Sequence, residues 1–125
     1  MRAGEQIDLP VVHHFSHGIY GREMHIPKGV VVSGKIHKYP QLNVLICGEL
    51  SVLTENGVVR VRPPFVVVSP AGTKRIAYAH EDSRWLTVHG THETDLEKIE
   101  AHFIAQTEDE FLQFCAQQKQ LVESP

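Results

Sequence analysis

A chain of 125 residues with 42% hydrophobic and 22% charged residues has the size and composition of a single globular domain. Residues 1–90 carry ten Lys and Arg against seven Asp and Glu, whereas residues 91–125 carry two against eight. Neither part contains a run of basic residues, and this absence argues against a general nucleic-acid-binding protein. The sequence has neither a signal-peptide core nor an apolar stretch of about 18 residues, so we expect neither secretion nor membrane spanning.

The two cysteines bear on the compartment. Cys47 and Cys115 both lie in apolar stretches, which favours two thiols over a disulfide. Thiols persist in a reducing compartment, so we expect a cytoplasmic protein.

The first 90 residues alternate between short β-rich runs and turn signals. Residues 1–10 have little periodicity and predict a loose N-terminal arm. The β-rich runs cover residues 11–15, 18–26, 30–37, 42–47, 49–54, 58–62, 65–69, 73–79 and 84–89. Among the turns, Asn56-Gly57 is the strongest hairpin signal. Short strands at roughly ten-residue spacing predict a β-barrel or sandwich over residues 11–90.

Helical signals begin only after residue 90, so residues 91–125 are predicted to form a helical C-terminal extension. Capping boxes at residues 94–97 and 107–110 predict the starts of two short α-helices. The apolar stripes that follow the boxes are Leu96, Ile99 and Phe103, and then Phe111, Phe114 and Cys115. Such helices pack over a sheet or a partner subunit, and small barrels with apolar edges commonly dimerise, so we expect a homodimer.

The stretch from Gly29 to Gly48 places a polar cluster between two apolar runs. Side chains alternate faces along a strand. Lys35 and His37 are therefore expected on one face of their strand, and Gln41 and Asn43 on one face of the next. If both polar faces turn inward, they form the floor of a pocket.

This stretch resembles the first motif of the cupin superfamily. That motif runs Gly, five residues, His-x-His, three or four residues, Glu, six residues, Gly. Here Gly29 is followed at the same spacing by Lys35-Ile36-His37, Gln41 and Gly48. Lys35 and Gln41 thus occupy the positions of the first His and the Glu.

A later stretch resembles the second cupin motif, which runs Gly, five residues, Pro-x-Gly, two residues, His, three residues, Asn. Pro64 occupies the first Gly position, Pro70-Ala71-Gly72 matches Pro-x-Gly, and Arg75 and Ala79 occupy the His and Asn positions. The resemblance implies a cupin-type double-stranded β-helix, or jelly-roll barrel. The chain is also similar to small cupin-like proteins of phages and prophages, which are mostly of unassigned function.

The residue types at these motif positions favour an anion over a metal ion. The metal site that the resemblance implies uses several imidazoles and a carboxylate, whereas Lys35 and Arg75 are cations and Gln41 is a weak neutral ligand. Two cations repel a divalent ion, while an Arg can clamp a carboxylate or phosphate. The main hypothesis is a degenerate metal site that binds a small anionic molecule through Lys35, His37, Gln41, Asn43 and Arg75.

A metal-dependent enzyme, an oxygenase or isomerase, is one alternative. A divalent metal ion would then be held by His37 and Gln41 with a relocated His89. His37 is the candidate general base and Glu23 the candidate acid of such an enzyme. Further histidines that could complete the ligand set are His14 and His25.

A structural or interaction module with a vestigial pocket is the other alternative. In that case Lys35 and Arg75 would form internal salt bridges with Glu23 or Glu49.

Overall fold

The computed structural model describes residues 9–54 and 56–123 of the chain. Residues 1–8 of the predicted arm therefore lie outside the described residues. Short strands follow one another from Val11 to Gly90, close to the predicted bounds. The strands are β1 (Val11–Ser16), β2 (Ile19–Ile26), β3 (Val31–Ser33), β4 (Ile36–His37), β5 (Gln41–Cys47), β6 (Leu50–Thr54), β7 (Gly57–Val61), β8 (Phe65–Ser69), β9 (Ile76–Ala79) and β10 (Ser83–Gly90). The C-terminal part contains α1 (Leu96–Phe103), a short strand β11 (Ile104–Ala105) and α2 (Glu108–Glu123).

Two antiparallel sheets form the barrel. One has five strands in the order β1-β2-β10-β5-β8, and the other has four in the order β3-β9-β6-β7. β4 and β11 form a separate two-stranded ladder, in which His37 lies opposite Ile104. Strands distant in sequence, such as β2 and β10, are neighbours in the sheet, which is the crossover pattern of a jelly roll.

The apolar core fills one half of the space between the sheets. Cross-strand pairing sets Met24, Trp85, Leu45 and Phe65 side by side on the inner face of the five-stranded sheet. The buried residues of the core cluster are Ile26, Leu45, Leu50, Val52, Val61 and Ala79. The other half of this inner face is polar, so the barrel keeps its folding core apart from its polar side chains.

The predicted strand over residues 30–37 is interrupted in the structure. β3 ends at Ser33 and β4 begins at Ile36, and between them the Gly34 amide donates to the Arg75 carbonyl (2.8 Å). Alternation of faces holds only within an unbroken strand. The expectation that Lys35 and His37 share one inward face therefore does not hold.

The two helices begin at polar caps. The cap of α1 is Asp95 rather than Thr94, because the Asp95 carboxylate accepts from the amide of Glu97 (3.0 Å). The second predicted box is confirmed, since the hydroxyl of Thr107 accepts from the Glu110 amide (3.1 Å). Each cap satisfies an amide that has no partner inside its helix.

α2 packs on the barrel through its first turns. Phe111 lies directly against Gly72, and the ring of Phe114 contacts Tyr39 with centroids 5.3 Å apart. Cys115 of the predicted stripe is exposed and is a free thiol. None of the described helices is long and apolar enough to cross a membrane.

Candidate functional site

Cross-strand pairing builds the polar half of the five-stranded sheet. Arg22 on β2, Thr87 on β10 and Asn43 on β5 are direct neighbours, so their side chains share the inner face. The next positions on the same face are Tyr20, His89, Gln41 and Ser69. All of these side chains except the half-buried Arg22 are buried. The polar face is therefore largely enclosed.

A chain of hydrogen bonds crosses this face. Thr87 Oγ1 donates to Asn43 Oδ1 (2.8 Å), and Asn43 Nδ2 donates to Ser69 Oγ (2.9 Å). Arg75 Nε donates to the same Ser69 oxygen at 3.4 Å. This series of hydrogen bonds sets the orientation of the Asn43 amide and holds Arg75 at the edge of the polar face.

Gln41 links the polar face to β4. Its Nε2 donates to Nδ1 of His37 (3.0 Å), so a neutral His37 ring carries its proton on Nε2. The other end of the amide, Gln41 Oε1, is buried and has no hydrogen-bond partner among the described residues. Buried polar atoms are rarely left unpaired in folded proteins, so this oxygen is a ready acceptor for a donor group.

Two histidines lie against each other at this end of the barrel. The ring centroids of His37 and His89 are 5.7 Å apart. Burial, followed by the charges of His89 and Arg22, lowers the pKa of His37 to about 4. Burial and Arg22 also lower the pKa of His89 to about 4. Both rings are therefore neutral at neutral pH.

Besides helping to lower the pKa of Glu100 on α1, the guanidinium of Arg22 supplies a positive charge to the polar face. No carboxylate within residues 9–54 and 56–123 forms an ion pair with it. Pairing and alternation also leave every inward strand position of the five-stranded sheet free of Asp and Glu. The electrostatic character of this face is therefore cationic.

α1 and β11 cover the polar end of the barrel. The ring of Phe103, at the end of α1, lies 4.5 Å from that of His89, and Tyr20 stacks on His89 at 5.9 Å. Ile99 and Ile104 complete the buried cluster around Tyr20. Burial raises the pKa of the Tyr20 hydroxyl, which remains a neutral group beside the histidines.

Four of the five predicted ligand-binding residues take part in these contacts. They are His37, Gln41, Asn43 and Arg75. The fifth, Lys35, lies elsewhere: its side chain is 58% exposed and its ammonium pairs with Glu100 on α1. His89, the third predicted metal ligand, lies beside His37 as expected from its inward position.

Glu23, the candidate acid, lies on the outer face of β2. It follows Arg22 in the strand, so the two side chains point to opposite faces. His25 and His14 flank its carboxylate at 2.5 Å and 3.1 Å, and their hydrogen bonds lower the pKa of Glu23. The sheet thus separates Glu23 and these two histidines from His37.

The salt bridges expected for a vestigial pocket have different partners. Glu49 pairs with Arg60 and Arg62, and Glu23 is held by histidines. Neither carboxylate pairs with Lys35 or Arg75.

Three residues of the polar face were missed by sequence reasoning as site residues: Arg22, Thr87 and Ser69. The available signal for Arg22 is strand alternation, because Tyr20 and Met24 on either side of it are inward residues of β2. Thr87 and Ser69 carry no signal beyond their place on the inward face of a strand.

The residues of this face do not fit a divalent metal ion. Such a site usually needs at least three deprotonated protein ligands. The imidazoles on this face are those of His37 and His89 and, on β1, that of His13, whose Nδ1 already shares a hydrogen bond with the Tyr20 hydroxyl (2.7 Å). Nδ1 of His37 already accepts from Gln41, and Arg22 adds a repelling charge. Within the described part of the chain, no group of three His, Cys, Asp or Glu side chains could hold a metal ion.

Arg75 also lines a groove of about 460 Å³. The groove lies between the end of β6 and residues 71–76, and Lys74 contributes a second cation to its wall. Arg75 therefore connects this groove to Ser69 on the polar face.

The fold class is that of the cupins. A cupin superfamily protein from Desulfitobacterium hafniense superposes with a TM-score of 0.53, at 14% identity, over 69% of this chain and 82% of that chain. KdgF from Halomonas sp. superposes with a TM-score of 0.54, at 21% identity, over 70% of this chain and 80% of that chain. The chain therefore adopts the jelly-roll barrel that its two motifs predict.

A third structure of this fold is a putative ethanolamine utilization protein from Salmonella typhimurium. It has a TM-score of 0.54 and 15% identity over 66% of this chain and 69% of that chain. Identities this low establish the fold alone. No family model and no curated protein matches the sequence, and the similarity to phage proteins stays a prediction.

Proposed function

We propose that the polar half of the barrel binds a small organic acid and that Arg22 holds its carboxylate. The proposal rests on the charge of the site. The half-buried guanidinium of Arg22 faces two neutral histidines and forms no ion pair with a carboxylate of the described residues. A guanidinium matches a carboxylate through two parallel hydrogen bonds. The charge that favours an anion thus comes from Arg22 rather than Lys35.

Neutral groups beside Arg22 would orient the acid. The Nε2–H of His37 is a donor, whereas Gln41 Oε1 is an acceptor that needs one. A ligand hydroxyl that donates to Gln41 Oε1 satisfies this acceptor, whereas the Nε2–H of His37, on the opposite side of its ring from the Gln41 amide, points to a second acceptor of the ligand. Leaving a buried acceptor unpaired costs about 1–3 kcal/mol, so the site should prefer a hydroxy acid to its deoxy counterpart by that amount.

The protein neighbours of this fold bear only on the small-molecule part of this proposal and on no particular chemical class. One of them is named for ethanolamine utilization, a process that acts on a small molecule. A cytoplasmic location, where Cys47 and Cys115 stay reduced, would give the barrel access to soluble metabolites.

Isothermal titration calorimetry of the full chain with two matched pairs of acids tests this function. The pairs are lactate with propionate and gluconate with hexanoate. We expect at least one hydroxy acid to bind and Arg22→Gln, which removes the charge, to weaken binding roughly tenfold or more. Lys35→Ala, which removes an exposed cation, should leave the affinity within about twofold.

A second variant tests the hydroxyl contact separately. Gln41→Leu should remove the preference for the hydroxy acid while the deoxy acid still binds. Binding that is unchanged in Arg22→Gln, or the failure of all four acids to bind, contradicts the proposed function.

A further inference from the structure

The groove of about 460 Å³ at the end of β6, which we call the β6 groove, combines aliphatic and cationic side chains. Its volume lies within the range of small-molecule sites, roughly 300–1,000 Å³. Leu53 and Ile76 are paired across β6 and β9, and their side chains are 47% and 41% exposed. Among the described residues that line the groove, Lys74 and Arg75 alone are charged. The groove therefore offers apolar contacts beside two positive charges.

Neither of these two charges is neutralised within the part of the chain that the structure describes. No carboxylate of residues 9–54 and 56–123 forms an ion pair with Lys74 or Arg75. Arg75 Nε donates to Ser69 Oγ at 3.4 Å, which leaves the other N–H groups of the guanidinium as donors for a ligand. Lys74 is exposed, and its ammonium adds three further N–H donors.

The loop that carries both cations is held in place by backbone hydrogen bonds. The Gly72 amide donates to the His37 carbonyl (2.8 Å), and the Arg75 carbonyl accepts from the Gly34 amide (2.8 Å). Phe111 of α2 lies directly against Gly72 and supports the loop. A loop that is already ordered loses little conformational freedom when a ligand binds, so more of the interaction energy appears as affinity.

We propose that the β6 groove binds a phosphate monoester, whose phosphate is held by Lys74 and Arg75 and whose organic group lies against Leu53 and Ile76. At neutral pH such a phosphate carries a charge of about −1.5 to −2, which two adjacent cations match more closely than they match a single carboxylate. A guanidinium forms parallel hydrogen bonds with two phosphate oxygens, and an ammonium adds a point charge. This site is separate from that of Arg22, so the proposal goes beyond the function proposed above and does not depend on it.

Calorimetry of the full chain with phenyl phosphate, inorganic phosphate and benzoate tests this site. Phenyl phosphate should bind roughly tenfold more tightly than inorganic phosphate, because its ring removes apolar area of Leu53 and Ile76 from water. It should bind roughly fivefold more tightly than benzoate, which has the same ring with a single negative charge. The three probes therefore separate the contribution of the ring from that of the charge.

Two variants remove the cations of the groove one at a time. Lys74→Gln should weaken the binding of phenyl phosphate roughly fivefold, and Arg75→Gln should weaken it roughly tenfold or more. Lys74 is exposed, so circular dichroism should show that Lys74→Gln keeps the fold. The matched control is Lys28→Gln, which removes an exposed cation outside the groove and should leave the affinity within about twofold.

Arg22→Gln distinguishes the β6 groove from the site inside the barrel. This variant should leave the affinity for phenyl phosphate within about twofold, and Lys74→Gln should leave the affinity for the hydroxy acid within the same limit. The proposal is overturned if phenyl phosphate does not bind or binds no more tightly than the other two probes. It is also overturned if phenyl phosphate binds normally to both groove variants, or if Arg22→Gln abolishes its binding.

Discussion

The imidazole rings of His37 and His89 stack with their centroids 5.7 Å apart and their planes inclined by 26°. Their strands, β4 and β10, lie far apart in the chain and meet only when the barrel closes. Burial is the main reason that the pKa of each is lowered to about 4. A proton on one ring would also repel a proton on the other, so the folded protein keeps the pair neutral near neutral pH.

Stability should therefore fall as the pH decreases from 6.5 to about 4. In the unfolded chain both histidines take up protons near the ordinary histidine pKa of 6.5, whereas the folded protein resists protonation until about pH 4. The contribution is complete above pH 6.5 and is lost progressively below it, by up to roughly 3 kcal/mol per histidine. Urea unfolding at a series of pH values measures this loss.

The double variant His37→Gln with His89→Gln is the control for this pH dependence. It lacks both titrating rings, so its free energy of unfolding should change less over the same pH window. An equal slope in the variant would mean that other groups cause the loss of stability.

Thr87→Val should destabilise the protein by about 1–3 kcal/mol, because it leaves the buried Asn43 Oδ1 without its donor. The two side chains have nearly the same shape, so the change isolates the hydrogen bond. Thr94→Val is the matched control, since the exposed Thr94 side chain has no hydrogen bond within the described residues. Chemical unfolding of both variants should separate them, and equal stabilities would show that the buried network contributes little.

Gly48→Ala should cost roughly 2–4 kcal/mol of unfolding free energy. Gly48 has a φ of +92°, and a Cβ there would collide with Ser83 and lie 2.5 Å from the carbonyl oxygen of Asp82. Gly57→Ala is the comparison, because Gly57 has a φ of +104° with no atom near its Cβ position and should show only the backbone cost of about 1–2 kcal/mol. Equal losses in the two variants would exclude the collision as a cause.

Asp95→Ala should reduce stability by about 1 kcal/mol through loss of the α1 cap. Because α1 covers the polar face, this variant should also weaken the binding of the hydroxy acid used in calorimetry. Asp95→Asn retains a capping oxygen and should behave like the unaltered protein. If Asp95→Ala binds the acid normally although its stability is reduced, α1 does not control the ligand site.

Turn chemistry explains why the strands were predictable. β8 was predicted at residues 65–69 and is found there, between the breaks at Pro63-Pro64 and Pro70. β5 was predicted at 42–47 and begins one residue earlier. β11 was not predicted, because two residues between helices have no periodicity and are recognised only through their pairing with β4.

The site was predictable only where a strand is continuous. Gln41 and Asn43 share the unbroken β5, so alternation correctly placed both on one face. Lys35 follows the break at Gly34, and its ammonium forms an ion pair with Glu100 on α1. No local sequence pattern predicts where this helix packs on the barrel. Arg22 lies outside both cupin motifs, so alternation with Tyr20 and Met24 is the only sequence signal for its inward position, and its place beside Thr87 depends on a register that the folded sheet displays.

The separation of the barrel into an apolar half and a polar half has a consequence for how such a protein can diverge. Met24, Trp85 and Phe65 pack with the buried cluster at one end, so exchanges at Arg22 or Gln41 leave that cluster intact. The side-chain chemistry of the polar end can then change by point substitution without compensating changes elsewhere in the molecule. In such a barrel, the polar end can accept substitutions during evolution, whereas substitutions in the apolar cluster are restricted by packing.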